Sequence, residues 1–203
     1  KKEPSLAGTV IPKLEEALKT IKDYNSQEKY TQSRDKLIET LRICTFKMKG
    51  DHNAYDNIYM NILSEATALR KIFEQKNQFT DVVNILAEVD ESLEYVNQSS
   101  DGKYTQQYEN NAGALSWFYL FVRSYAKAEK AALNALAIDK NQTWIVVNLS
   151  HALLFQNRYD EAVVFYTALK DAKDESGKSY AQFCLDDLDA LEKAGITHPD
   201  VPK

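Results

Sequence analysis

Glycine and proline are scarce in this chain, six and four in 203 residues. Many short strands joined by tight turns would need more of both, so an all-β design is excluded and helices are favoured. Cysteine is nearly absent. Cys44 and Cys184 are far apart and no C-x-x-C occurs, so two buried thiols are expected over a disulfide. Each sits in an apolar helical pattern and reads as a buried thiol packing as a small hydrophobe. No apolar run approaches the roughly 18 residues that cross a bilayer. Concentrated basic charge is missing as well. The net charge is −5, and without a Lys/Arg cluster a nucleic-acid surface is not expected. The acidic residues read as solvated helix faces. The chain opens on Lys-Lys without Met, which points to a processed or truncated form and leaves its compartment open.

What is there is helical periodicity. Leu14, Leu18 and Ile21 form one stripe, and Leu37, Leu41, Cys44 and Met48 a second. A break at Lys49–Asn53 precedes a long third stripe of Tyr55, Ile58, Ile62, Leu69 and Phe73. Val82, Ile85, Val89 and Leu93 form a fourth, and Asn97–Lys103 is the clearest loop. Helices are then expected over Tyr104–Val122, Tyr125–Ile138, Thr143–Gln156, Tyr159–Lys173 and Ser179–Ala194. Gly195 supplies a left-handed stop, and Pro199 prevents resumption. The connections are short, so consecutive helices must pack antiparallel.

The last helices repeat. Tyr159 falls on Tyr125 at an offset of 34 residues. At that offset Ala112, Leu115, Ser116 and Tyr119 align with Val146, Leu149, Ser150 and Leu153. Tyr125, Ala128, Ala132 and Ala135 align with Tyr159, Ala162, Tyr166 and Leu169. Ser116 and Ala128 must be small because two helices cross there at close range; Tyr119 and Tyr125 fill the space beside the crossing. A period of this length with two helices per unit resembles the tetratricopeptide repeat family. Two departures stand out: the glycine expected in the turn is Arg123 or Asn157, and the proline expected after the second helix is Lys140. A degraded copy is read at 63–96, with Arg70 where a small residue belongs.

These readings give an all-α antiparallel helical-repeat array with a C-terminal capping helix. Residues 1–100 form a helical region holding the degraded copy at 63–96, and 104–195 hold two repeats plus the cap, within one continuous array. The cap would bury Tyr180, Cys184, Leu188 and Leu191 and turn Asp186, Asp187, Asp189 and Glu192 to water.

The resemblance implies that the first helix of each repeat lines a concave surface. On it would stand Asn110, Gly113, Trp117, Leu120 and Phe121 from one copy, and Trp144, Val147, His151, Leu154 and Phe155 from the next. Exposed apolar patches of that size usually bind something. The candidate groove is therefore Asn110, Trp117, Phe121, Trp144, Asn148, His151 and Phe155, taking a peptide or helix from a protein partner. The alternative is a spacer whose groove is filled by its own N-terminal helices. A clamp for a C-terminal carboxylate, known in the family, is not expected. Asn148 matches one of its positions, but Gly113 and Trp117 stand where Lys and Asn are needed.

Catalysis is not expected either. His52, His151 and His198 are scattered and no H-E-x-x-H, G-x-S-x-G or P-loop occurs. A site assembled around His151 is the remaining enzymatic reading, and packing is the simpler one. His198 reads as solvated. The Leu185–Asp189 run reads as a solvated cap rather than a metal site, since Asp186 and Asp189 share a helix face that Asp187 does not. No cofactor or metal is called for.

Overall fold

The computed structural model describes residues 6–173 and 177–201. Among them are nine α-helices and no strand. They are α1 Leu6–Ser26, α2 Tyr30–Met48, α3 His52–Gln75, α4 Phe79–Ser99, α5 Thr105–Phe121, α6 Tyr125–Ile138, α7 Thr143–Phe155, α8 Tyr159–Leu169 and α9 Tyr180–Lys193. The chain is an all-α array of antiparallel hairpins. It divides into two compact units, the division falling after Tyr108 in the first turn of α5.

In the first unit, α1 to α4 each pack on the next in sequence. Contacts of α1 with α3 and of α2 with α4 arrange them in two layers. The four expected stripes are the core: every residue named in them is buried. Full burial of each Leu, Ile or Phe contributes on the order of 1.5–3 kcal/mol. Asp51 caps α3 by accepting from Ala54 N at 3.0 Å. Asn97 organises the connection from α4 to α5. Its Oδ1 accepts from Tyr104 N at 2.9 Å, and its carbonyl accepts from Gly102 N at 3.0 Å. Asn97–Ser99 belong to α4, so the expected loop is shorter by those residues.

Four helix hairpins share one turn. Glu28, Asn77, Arg123 and Asn157 all take the left-handed conformation, with φ of 57°, 55°, 56° and 60°. After each, the next amide reaches back five residues: Lys29 N to Tyr24 O, Gln78 N to Phe73 O, Ser124 N to Tyr119 O and Arg158 N to Leu153 O, all at 2.9–3.0 Å. This is the Schellman closure, which satisfies carbonyls left over at a helix end. Two residues beyond each turn stands an aromatic: Tyr30, Phe79, Tyr125 and Tyr159. Three further stands a small or β-branched residue with no exposed surface: Ser33, Val82, Ala128 and Ala162. The α1–α2 hairpin thus carries the same register as the other three, although only helices, without repeat register, are legible there in the sequence. The signal that could have found it is Tyr30 followed three residues later by Ser33.

In the second unit α7 packs between α6 and α8, and α9 packs on both α7 and α8. The helix expected to run to Lys173 stops at Leu169. Lys173 instead pairs with Ser179 in an isolated antiparallel bridge, and Tyr180 N donates to Ala172 O at 3.0 Å. At the other end, Gly195 takes φ 76° and Ile196 N closes on Leu191 O at 2.9 Å, ending α9 where the sequence places its stop.

Candidate functional site

Four of the seven groove residues occur on α5 and at the start of α7 with surface to offer. Asn110 is exposed, Trp117 and Phe121 are half-buried, and Trp144 is 41% exposed. Trp117 and Phe121 lie one turn apart on α5, edge to face, with centroids 4.9 Å apart. The Trp144 indole lies over Gly113, where α5 has no side chain, and its Nε1 donates to Gln142 Oε1 at 3.1 Å.

The other three are buried. Asn148 is 4% exposed and is a bracing residue between helices. Its Nδ2 donates to Gly113 O at 3.3 Å and to Ser116 Oγ at 3.0 Å, while the Ser116 hydroxyl donates to Gly113 O at 2.6 Å. His151 has no exposed surface. Its Nδ1 pairs with the Tyr166 hydroxyl of α8 at 2.8 Å, and its Nε2 lies 3.5 Å from Asp187 Oδ2 of α9 without the alignment of a hydrogen bond. Phe155 is stacked on Tyr125 at 5.2 Å and met edge-on by His198 at 5.8 Å. Val147 and Leu154 are buried as well. In this conformation the α7 face beyond Trp144 is interior.

The reason lies in the composition of α7. Thr143–Phe155 contains no charged residue, and a helix apolar all round is a buried helix. Covering groups come from α8, α9 and the segment after Gly195. Leu191 and Ile196 join Leu120, Ala128, Ala152 and Phe155 in one apolar cluster. His198, expected in solvent, has a side chain only 6% exposed, because it docks on Phe155 and pairs with Asn157 Oδ1 at 3.1 Å.

His151, Tyr166 and Asp187 bring titratable groups of α7, α8 and α9 together. Burial holds the Tyr166 phenol above its ordinary range, with the neighbouring Cys184 adding to the shift. Burial, then Asp187, pushes the Cys184 thiol up to about 11. Both effects favour neutral forms, so the cluster is a packed polar node without an activated nucleophile. The remaining carboxylates of the Leu185–Asp189 run are paired outward. Asp186 accepts from Lys178 at 2.7 Å and from Gln182 at 2.8 Å, and Asp189 from Lys193 at 2.5 Å. Among the described residues no group of three or more His, Cys, Asp or Glu side chains gathers as a metal ion would require. No helix among them is long and apolar enough to cross a membrane.

A surface the sequence reading missed lies in the first unit. Ile43, Phe46 and Tyr95 are exposed, Phe46 at 69%. Phe46 and Tyr95 flank a groove of about 510 Å³ between α2 and α4, where Arg42 grips Glu88 through two bonds of 2.6 Å. Ile43 and Phe46 fall off the Leu37–Met48 stripe, which was the available signal.

Comparison with protein-family models, with curated proteins and with solved structures finds no match.

Proposed function

We propose that this chain is a non-catalytic interaction module of tetratricopeptide-like construction, and that it takes a peptide or helix of a protein partner on the aromatic face of α5 and the start of α7. The observation that carries the reading is Trp144: a large aromatic 41% exposed, seated against backbone over Gly113 and standing beside the α5 row of Trp117 and Phe121. Indole rings held rigid at a surface supply contact area at low entropic cost, and they dominate interface energetics where they occur. Asn110 gives that face a polar margin. The recurrent hairpin turn supports a repeat architecture, whose ordinary use is to present such a face.

The test is selection of peptides from a displayed library against the folded chain, followed by affinity measurement on Trp144→Ala. An anchor of this kind accounts for about 2 kcal/mol or more, roughly a thirtyfold loss of affinity. Peptides that bind the parent and the variant equally would remove the proposal.

A second reading has its own observation. Burial of Asn148, His151 and Phe155 favours a spacer whose groove is already filled. It expects the same selection to yield no ligand dependent on Trp144 or Trp117.

A further inference from the structure

The segment after Gly195 is seated on the array as a ligand would be. Ile196 is 4% exposed among Leu120, Ala152 and Phe155. His198 enters two residues later. Its Nδ1 accepts from Asp200 N at 3.2 Å, which makes Nε2–H the donor to Asn157 Oδ1 at 3.1 Å. The imidazole and the Phe155 ring meet at near right angles. Val201 follows against the cluster that holds Leu154. Between them Pro199 withholds a backbone donor and Thr197, Pro199 and Asp200 face water.

Two features set this segment apart from an ordinary cap. Beyond Ile196 its hold, among the described residues, comes from two side chains: His198, which bonds Asn157 and packs on Phe155, and the partly buried Val201. A solvent-open pocket of about 470 Å³ lies alongside it, lined by Phe155, Leu188, Glu192, Ile196, His198 and Val201.

We propose that residues 196–201 are a displaceable intramolecular ligand. On this reading the Phe155 end of the α5–α7 face accepts in trans an extended segment of the same chemistry: an aliphatic side chain, an imidazole two positions on, and a second aliphatic three positions further. This rests on reading that face as a recognition surface, and adds to it the occupant of the covered half. Tethering gives the cis segment an effective concentration in the millimolar range, so a free peptide of equal affinity cannot enter while the tail is seated. Release of the segment uncovers Phe155 and Leu188.

The experiment uses a fluorescently labelled peptide of residues 194–203, titrated into the intact chain and into a chain ending at Gly195. The shortened chain is expected to bind it at least about tenfold more tightly than the intact one, and a peptide carrying H198A to lose most of that gain. A shortened chain that keeps its helical circular dichroism and cooperative melting yet ignores the peptide overturns the proposal; so does equal binding by both chains. If the shortened chain does not fold, the full chain with H198A and V201D replaces it. That chain keeps Ile196 and is expected to bind the peptide more tightly than the parent, with equal binding again overturning the proposal. Repeating the titration with W144A separates the two ideas. The peptide's contacts are at the Phe155 end and need no Trp144, so loss of the Trp144 anchor leaves this result standing.

Discussion

Trp144 and Gly113 are mutually dependent. A β-carbon at residue 113 would lie 2.3 Å from Cη2 of the indole and 2.9 Å from Cδ1 of Ile145. The glycine sits mid-helix in α5, where it forgoes about 1 kcal/mol of helix propensity relative to alanine. That loss is accepted because two helices and an indole meet there. Gly113→Ala is expected to lower stability by about 1–3 kcal/mol despite the better propensity, since Ile145 is fully buried and cannot yield. Trp144 can yield, by swinging into solvent. The check is urea unfolding together with tryptophan emission. A red-shifted, more readily quenched native spectrum marks the displaced indole, whereas a variant more stable than the parent would mean the helices separate without cost.

How much of this was legible follows from what kind of information each feature needs. The stripes Leu14–Ile21 through Val82–Leu93 are one-dimensional patterns, and they mark the cores of the first four helices. The last two hairpins were legible because Tyr125/Ala128 and Tyr159/Ala162 repeat at a fixed interval. The first hairpin was not, because its turn residue is Glu28, which does not advertise a left-handed turn, and because the Tyr30/Ser33 pair has no copy at that interval. The groove was legible only in part. Periodicity assigns a residue to a face, but whether that face is covered depends on distant chain. His198 and Ile196 reach Phe155 only after α8 and α9 have turned back, and no local pattern records that. The uncharged run of α7 was the one hint of it.

Tyr104 is 1% exposed, and its hydroxyl donates to Asp56, which also takes Lys103 Nζ at 2.9 Å. The Tyr104 bond, then the Lys103 bond, hold the Asp56 carboxyl below its usual range. Burial, then Asp56, hold the Tyr104 phenol above its own. The two signs differ. For Asp56, whose folded value is depressed, the contribution is complete above the unfolded carboxylate value of about 3.9 and is lost as pH falls through the folded value. For Tyr104, whose folded value is raised, it is complete below about 10 and is lost as pH rises beyond that. Tyr104→Phe is expected to cost about 1–2 kcal/mol at neutral pH and to flatten the alkaline limb. Urea midpoints from acid to alkaline pH test this, and a variant retaining the parent's alkaline slope would show that the phenol is not its source.

Cys44 and Cys184 lie one in each unit and report on them separately. Burial pushes Cys44 up to about 12, and burial with Asp187 pushes Cys184 up to about 11. Near pH 8 the thiolate fraction is then about one in a thousand or less, and both residues are buried. Both thiols are expected to resist Ellman's reagent in the native chain and to react fully in denaturant. Mass-spectrometric reading of which cysteine is labelled as urea rises follows each unit's opening. Simultaneous labelling would mark a single cooperative transition, and separated labelling two. Rapid native reaction at either site would contradict its buried placement.

The four shared turns allow a final comparison. Glu28 and Arg123 both hold φ near 56°, a conformation that costs an L-residue with a side chain on the order of 1 kcal/mol and costs glycine almost nothing. Glycine also loosens the unfolded chain, which offsets part of the relief. Glu28→Gly is expected to raise stability by about 0.5–1 kcal/mol, because the side chain is exposed and the turn's hydrogen bonds are made by backbone. Arg123→Gly should gain little. Its guanidinium donates from Nη2 to Gly195 O at 2.9 Å and ties the α5–α6 turn to the residue that ends α9, and losing that bond offsets the relief of strain. Thermal unfolding of the two variants side by side distinguishes these contributions. Equal stabilisation would mean the Arg123–Gly195 bond contributes nothing to the fold. Destabilisation by Glu28→Gly would mean that the first turn is held by its glutamate and not strained by it.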